Sequence, residues 1–121
     1  MYKRPARVLV AALDDDGRAD YVARLAANPA LSKWLEVRPA ASMRRLHPDD
    51  LLWADLLVAL DGAAAQALPA EHPATCRLKR WELPPADSPD LPAAVGAAMF
   101  FMIGGMRMLS RVDEDDGGAG D

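Results

Sequence analysis

Ala6-Arg7-Val8-Leu9-Val10-Ala11-Ala12-Leu13-Asp14-Asp15-Asp16-Gly17-Arg18 is the stretch that decides the fold of this 121-residue chain. Its first half holds the unbroken apolar run Val8-Leu9-Val10-Ala11-Ala12. A strand covered on both faces reads this way, because neither face needs a polar residue. The second half turns abruptly into three carboxylates and a glycine, and a helical pattern starts at Arg18. Strand, polar turn and helix form the opening unit of an open α/β sheet. Such sheets bind ligands beyond the carboxyl ends of their strands, so residues 14–18 are where chemistry is to be sought.

The reading extends outward from there. In residues 18–27, Tyr21, Val22, Leu25 and Ala26 recur at helical spacing and mark one buried face. Asp16 or Gly17 is the expected N-cap, and Asn28-Pro29 is the expected stop. A second strand is predicted at 35–40, placed at a sheet edge by Pro39. His47-Pro48 opens a single helical turn. The third strand, 54–60, ends at Asp61-Gly62, and an alanine-rich helix follows over 63–68. The fourth strand, 75–81, carries Arg77, Lys79 and Arg80, which suit an exposed edge. Pro84, Pro85 and Pro89 exclude regular structure from 82–90, and a last helix is predicted over 91–111. The expectation is an α/β fold with three layers: an open sheet of four parallel strands with helices on both faces. It occupies one domain, residues 1–112, followed by a disordered tail at 113–121, which is acidic and glycine-rich.

Composition narrows the function classes. Hydrophobic residues make up 51% and charged residues 26%, a globular balance. A net charge of −4 argues against a nucleic-acid surface. The single cysteine, Cys76, excludes an internal disulfide and fits a reducing compartment. The basic start is followed by an apolar stretch too short for a signal peptide, so a cytoplasmic location is expected. Residues 91–106 carry no charge but fall short of the roughly twenty that a membrane span needs, so no membrane partner is expected. Within them, Ala98-Met99-Phe100-Phe101-Met102-Ile103 is apolar all round, as in a helix covered on more than one side. Met99, Phe100, Met102, Ile103 and Met106 are therefore the candidate surface for a homodimer, or for another protein.

The order of these segments resembles the low-molecular-weight protein tyrosine phosphatase family, over nearly the whole chain. Members open with a basic residue, an apolar strand, then cysteine, five residues and arginine entering the first helix. Here Arg7-Val8-Leu9-Val10-Ala11 supplies the strand, and Ala12 and Arg18 bracket five residues. Trp53-Ala54-Asp55-Leu56-Leu57-Val58-Ala59-Leu60-Asp61 is similar to the family's third strand. Cys76-Arg77-Leu78-Lys79-Arg80-Trp81-Glu82-Leu83-Pro84 is similar to its fourth strand and the tryptophan leading to the Asp-Pro loop. The resemblance implies a phosphate loop at Ala12, Leu13, Asp14, Asp15, Asp16, Gly17 and Arg18, in vestigial form. In the family a cysteine thiolate attacks phosphorus, and an aspartate protonates the leaving group. Here Ala12 holds the nucleophile position, and the acid position falls at Pro85, with Asp87 the nearest carboxylate. Ala19 follows the arginine where the family has a hydroxyl. Two like charges about 4 Å apart cost about 4 kcal/mol at an effective dielectric near 20, so three aspartates oppose a bound dianion. The resemblance therefore implies a phosphatase-like protein without catalytic residues, acting as a binding or regulatory module.

The alternative is a metal-dependent or phosphoacceptor site of the receiver type, built from Asp14, Asp15 and Asp61 and taking Mg²⁺ or Ca²⁺ through oxygen. Otherwise no cofactor is expected. Arg18 reads as half of a local ion pair, and Cys76 as a buried structural thiol. His47 and His72 each precede a proline and read as surface or capping residues, and Trp81 as a core residue or the wall of a groove.

Overall fold

The computed structural model describes residues 4–119, with side chains described through Gly105. Strand β1 (Ala6–Ala11) leads into α1 (Arg18–Ala26), and the short α2 (Pro29–Ser32) leads into β2 (Leu35–Pro39). A 3₁₀ turn at Met43–Arg45 and α3 (Pro48–Trp53) precede β3 (Leu56–Ala59). Helix α4 (Gly62–Gln66), β4 (Arg77–Arg80) and α5 (Leu91–Ala119) complete the chain.

The four strands are all parallel, in the order β2-β1-β3-β4. The two central strands are the two apolar runs. In β1, Val8, Leu9, Val10 and Ala11 are buried, and in β3, Leu56, Leu57, Val58 and Ala59 are buried. Successive side chains point to opposite faces, and each face has its own cover. Val8, Val10, Ala12, Val58 and Leu60 pack with Val22 and Ala26 of α1 and with Val95 and Met99 of α5. Leu9, Ala11, Leu57 and Ala59 pack with Met43, Leu51 of α3, Ala64 of α4 and Cys76. Two-sided burial is the reason that neither strand alternates. Each buried Val or Leu contributes about 1.5–3 kcal/mol.

The edges obey the opposite rule. Pro39 ends β2 beside Val10, at the outer edge, where its missing N–H breaks no ladder bond. In β4, Arg77, Lys79 and Arg80 face solvent. Arg38 of β2 lies over the ring of Trp53, 4.0 Å from its centre, which shields that flank of α3.

Helix starts follow their local chemistry. Gly17 caps α1 with φ 92°, a left-handed conformation that favours glycine. Asn28-Pro29, expected only as a stop, also starts α2: the Asn28 side chain accepts the Ala30 N–H at 2.9 Å. His47 caps α3 in a reciprocal box with Asp50. Strand β1 keeps the six residues expected at 7–12 but sits one residue earlier, β2 ends one residue sooner than predicted, and β3 and β4 each start two residues later and end one residue sooner. Helix α4 begins at Gly62, directly after its cap Asp61, and stops at Gln66.

Helix α5 runs past the predicted end at Arg111 into 113–119, the segment read as a disordered tail. No proline follows Arg111, and the first glycines beyond it are Gly117-Gly118, so nothing local stops the helix earlier. Residues 120–121 lie outside the described residues. No helix among the described residues is long and apolar enough to cross a membrane.

Candidate functional site

Strand β1 continues through α1 toward β2, while β3 continues through α4 toward β4 on the other side. The chain thus departs in opposite directions from two adjacent strands, and a crevice opens beyond their carboxyl ends. The turn 12–17 closes one side of it and Asp61 stands on the other. Ala12 is buried at the mouth of the turn, and its carbonyl accepts the Met43 N–H at 2.9 Å. Ser42, also buried, donates its hydroxyl to the Leu13 carbonyl at 2.8 Å and accepts the Arg44 N–H at 3.0 Å. The turn is thereby fastened to the 3₁₀ segment.

Arg18 fills the crevice. Its side chain is 7% exposed, and each of its three guanidinium nitrogens faces an acceptor. Nε donates to Asp16 Oδ2 at 2.8 Å. Nη1 donates to the carbonyls of Pro84 at 3.2 Å and Leu83 at 3.4 Å. Nη2 donates to Asp61 Oδ2 at 2.5 Å and lies 2.8 Å from Asp16 Oδ2. Asp16 also accepts the backbone N–H of Arg18 through Oδ1, so one carboxylate grips both ends of the residue. Asp61 divides its oxygens: Oδ2 takes Arg18, and Oδ1 accepts the Ala64 N–H at 2.8 Å, capping α4. One guanidinium therefore joins the β1–α1 turn, the end of β3 and the segment after β4.

The electrostatics agree with this geometry. Burial disfavours the charge on Arg18, but the Asp61 hydrogen bond and the proximity of Asp16 outweigh it and raise its pKa. Burial pushes Asp61 up, yet the Ala64 N–H and Arg18 hold it below its ordinary value. Counting Arg18 against Asp16 and Asp61 leaves the junction with net negative charge, and the exposed Asp14 and Asp15 add to it. Asp14 meets Arg44 only at 3.9 Å in an exposed pair, which contributes about 0–1 kcal/mol. The arginine is already neutralised by the chain itself, in a field that repels anions.

The structure brings together Asp16, Arg18 and Asp61 out of the residues singled out from sequence. It does not bring Asp14 and Asp15 to Asp61. Asp14 and Asp15 point to solvent, Asp61 is committed to Arg18 and α4, and the described residues hold no group of three His, Cys, Asp or Glu able to take a metal ion. Asp87 and Pro85 are exposed. Cys76 is buried in the α3–α4 layer, and burial raises its thiol pKa, which opposes a nucleophilic role. His72 is exposed, and Trp81 packs against the α1–α5 layer.

Sequence reasoning missed the carbonyls of Leu83 and Pro84, because a backbone acceptor has no residue signature. It also missed Ser42, whose only signal was a hydroxyl placed before the 3₁₀ turn. The candidate helix surface needs correction. Met99 and Ile103 are core residues, Met102 is half-buried, and Phe100 and Phe101 face outward. The side chain of Met106 lies outside the described residues. No protein-family model matches the chain, and no curated protein matches it.

Proposed function

We propose that this is a non-catalytic, phosphatase-like α/β protein that acts as a binding or regulatory module. The observation that carries the reading is the engagement of all three Arg18 guanidinium nitrogens within the chain. A phosphate-handling arginine must offer a forked pair of donors to the ligand. Arg18 spends them on Asp16, Asp61 and two carbonyls. The position five residues before Gly17 adds the second support: Ala12 has a methyl group where thiolate chemistry needs a sulfur. The phosphatase-like part of the reading draws support from the strand order β2-β1-β3-β4, from the helix entry at Arg18, and from Trp81 after β4. What remains of the ligand crevice is a structural lock that holds three loops in one arrangement.

The test is hydrolysis of para-nitrophenyl phosphate together with a thermal-shift titration with vanadate. The expected result is no turnover above the buffer rate and no stabilisation by vanadate. Turnover that disappears in Arg18→Ala overturns the reading, and so does a vanadate-dependent rise in Tm.

A further inference from the structure

Two arginines meet one tryptophan on the α3 side of the sheet. Arg7 of β1 and Arg38 of β2 place their guanidinium carbons 6.0 and 4.0 Å from the centre of the Trp53 ring. Arg7 lies two residues before Leu9, and Arg38 is in register with Leu9, so both share the face that Leu9 gives to the α3–α4 layer. Trp53 ends α3 and is half-buried against that layer. Leu52, one residue earlier, is 68% exposed.

Neither guanidinium is engaged inside the chain. Among the described residues, neither has a side-chain hydrogen bond or an ion pair, in contrast to Arg18. Arg7 is half-buried, and its Nε is enclosed with no acceptor. Such a donor costs folding stability, and native proteins hold few of them. Its forked end is not enclosed and points the free donors outward. Asp55 accepts the Arg7 backbone N–H at 2.9 Å, but its two oxygens hold the Arg4 guanidinium at 2.8 and 3.2 Å. Glu36, opposite Arg7 in the register, is exposed, and among the described residues it pairs with neither arginine. Counting Glu36 against Arg7 and Arg38 leaves this face with net positive charge, in a chain whose net charge is −4.

We propose that this face docks an acidic segment of another protein, its carboxylates on Arg7 and Arg38 and an apolar side chain beside Leu52 and Trp53. A planar carboxylate fits the fork of a guanidinium. Tryptophan and arginine are the residues that most often anchor an interface. The Arg7 backbone is fixed in the central strand β1, so little ordering is required of it on binding. An exposed ion pair alone contributes little, so a bare inorganic oxyanion, which lacks the apolar contact, is a poor occupant. The proposal rests on the binding-module reading above and names its surface.

The experiment is a nuclear magnetic resonance titration of the isotope-labelled protein with the peptide acetyl-Glu-Leu-Asp-Leu-Glu-amide. The signal followed is the Trp53 indole N–H, assigned with Trp53→Phe. The expected result is a saturating shift of that signal. The same peptide with Gln and Asn in place of its acids is expected to bind at least about tenfold more weakly. Arg7→Gln and Arg38→Gln are each expected to weaken binding at least about fivefold. Arg38 is exposed, so its variant remains informative should Arg7→Gln misfold. No saturating shift at millimolar peptide overturns the proposal. So does equal binding of the neutral peptide, binding that Arg38→Gln leaves unchanged, or tighter binding of a single-stranded oligonucleotide at the same signal. Hydrolysis and the vanadate response report on the Arg18 junction instead, so a peptide failure beside negative results there sinks this surface and leaves the non-catalytic reading standing.

Discussion

Arg4 and Arg18 each pair with an aspartate at one end of β3: Arg4 with Asp55 just before the strand, Arg18 with Asp61 just after it. The chemistry is the same, and the distances, 2.8 and 2.5 Å, are similar. The surroundings are not. The Arg4–Asp55 side chains are 48% and 38% exposed, whereas those of Arg18 and Asp61 are 7% and 24% exposed. Water and salt screen the first pair and leave little net gain. The second pair sits where an unpartnered charge is costly, so its removal is felt throughout the three loops it joins. Burial, not contact geometry, separates a surface ornament from a structural lock.

The sharpest way to break this contrast is Arg18→Met, which takes the guanidinium away from Asp16, Asp61 and two carbonyls. A loss of about 3 kcal/mol is expected in urea denaturation. A loss under about 1 kcal/mol would place Arg18 among ordinary surface arginines. Asp61→Ala comes next, at about 2 kcal/mol, because it removes both the ion pair and the α4 cap. Asp61→Asn keeps the cap and is expected to cost less. The double variant Arg18→Met/Asp61→Asn should fall short of the sum of the two single losses by about 1 kcal/mol or more, since both act on one interaction.

Acid titration sharpens the same comparison. Arg18 and the Ala64 N–H hold the Asp61 pKa below that of the unfolded chain, against the effect of burial. A depressed carboxylate pKa contributes stability that is fully present above the unfolded value, about 3.9, and is lost as pH falls through the folded value. Tm measured from neutral pH downward should therefore drop more steeply in the wild type than in Asp61→Asn, with the two curves converging below about pH 3.9. Asp55 is depressed as well, chiefly by its hydrogen bond from Arg4, and acts in the same window with the same sign. The smallest effect belongs to that exposed end. Arg4→Ala should leave the urea midpoint nearly unchanged in high salt, and any difference seen at low salt should fade as salt is added. A midpoint shift that persists in high salt would erase the distinction between the two ends.

Much of the fold was legible because its signals are local. The runs Val8-Leu9-Val10 and Leu56-Leu57-Val58 lack alternation, and only strands buried on both faces can afford that. Pro39 marked an edge, and the lysine and arginines of β4 marked the other. Less legible were features whose sense depends on a neighbour. Asn28-Pro29 was readable as a stop but not as the start of α2, since both uses draw on the same residues. Met99 and Ile103 looked no different from Phe100 and Phe101 in an apolar run without polar punctuation. Only their angle relative to the sheet separates core from surface.

The candidate site divides along the same line. The chain order alone placed three carboxylates and Arg18 after the first strand, and Asp61 after the third, because those positions follow from periodicity and turn chemistry. Which carboxylate Arg18 would choose was not written there. Asp16 wins over Asp14 and Asp15 because it alone reaches Nε while also holding the Arg18 backbone N–H. Asp61 joins from forty-three residues away because β1 and β3 are neighbours in the sheet. The Leu83 and Pro84 carbonyls join because the chain after β4 turns back over the crevice. Sequence determined the elements and the charges they carry. Tertiary structure decided which charges meet and how far water is kept from them, because proximity between distant segments and burial are properties of the packed chain.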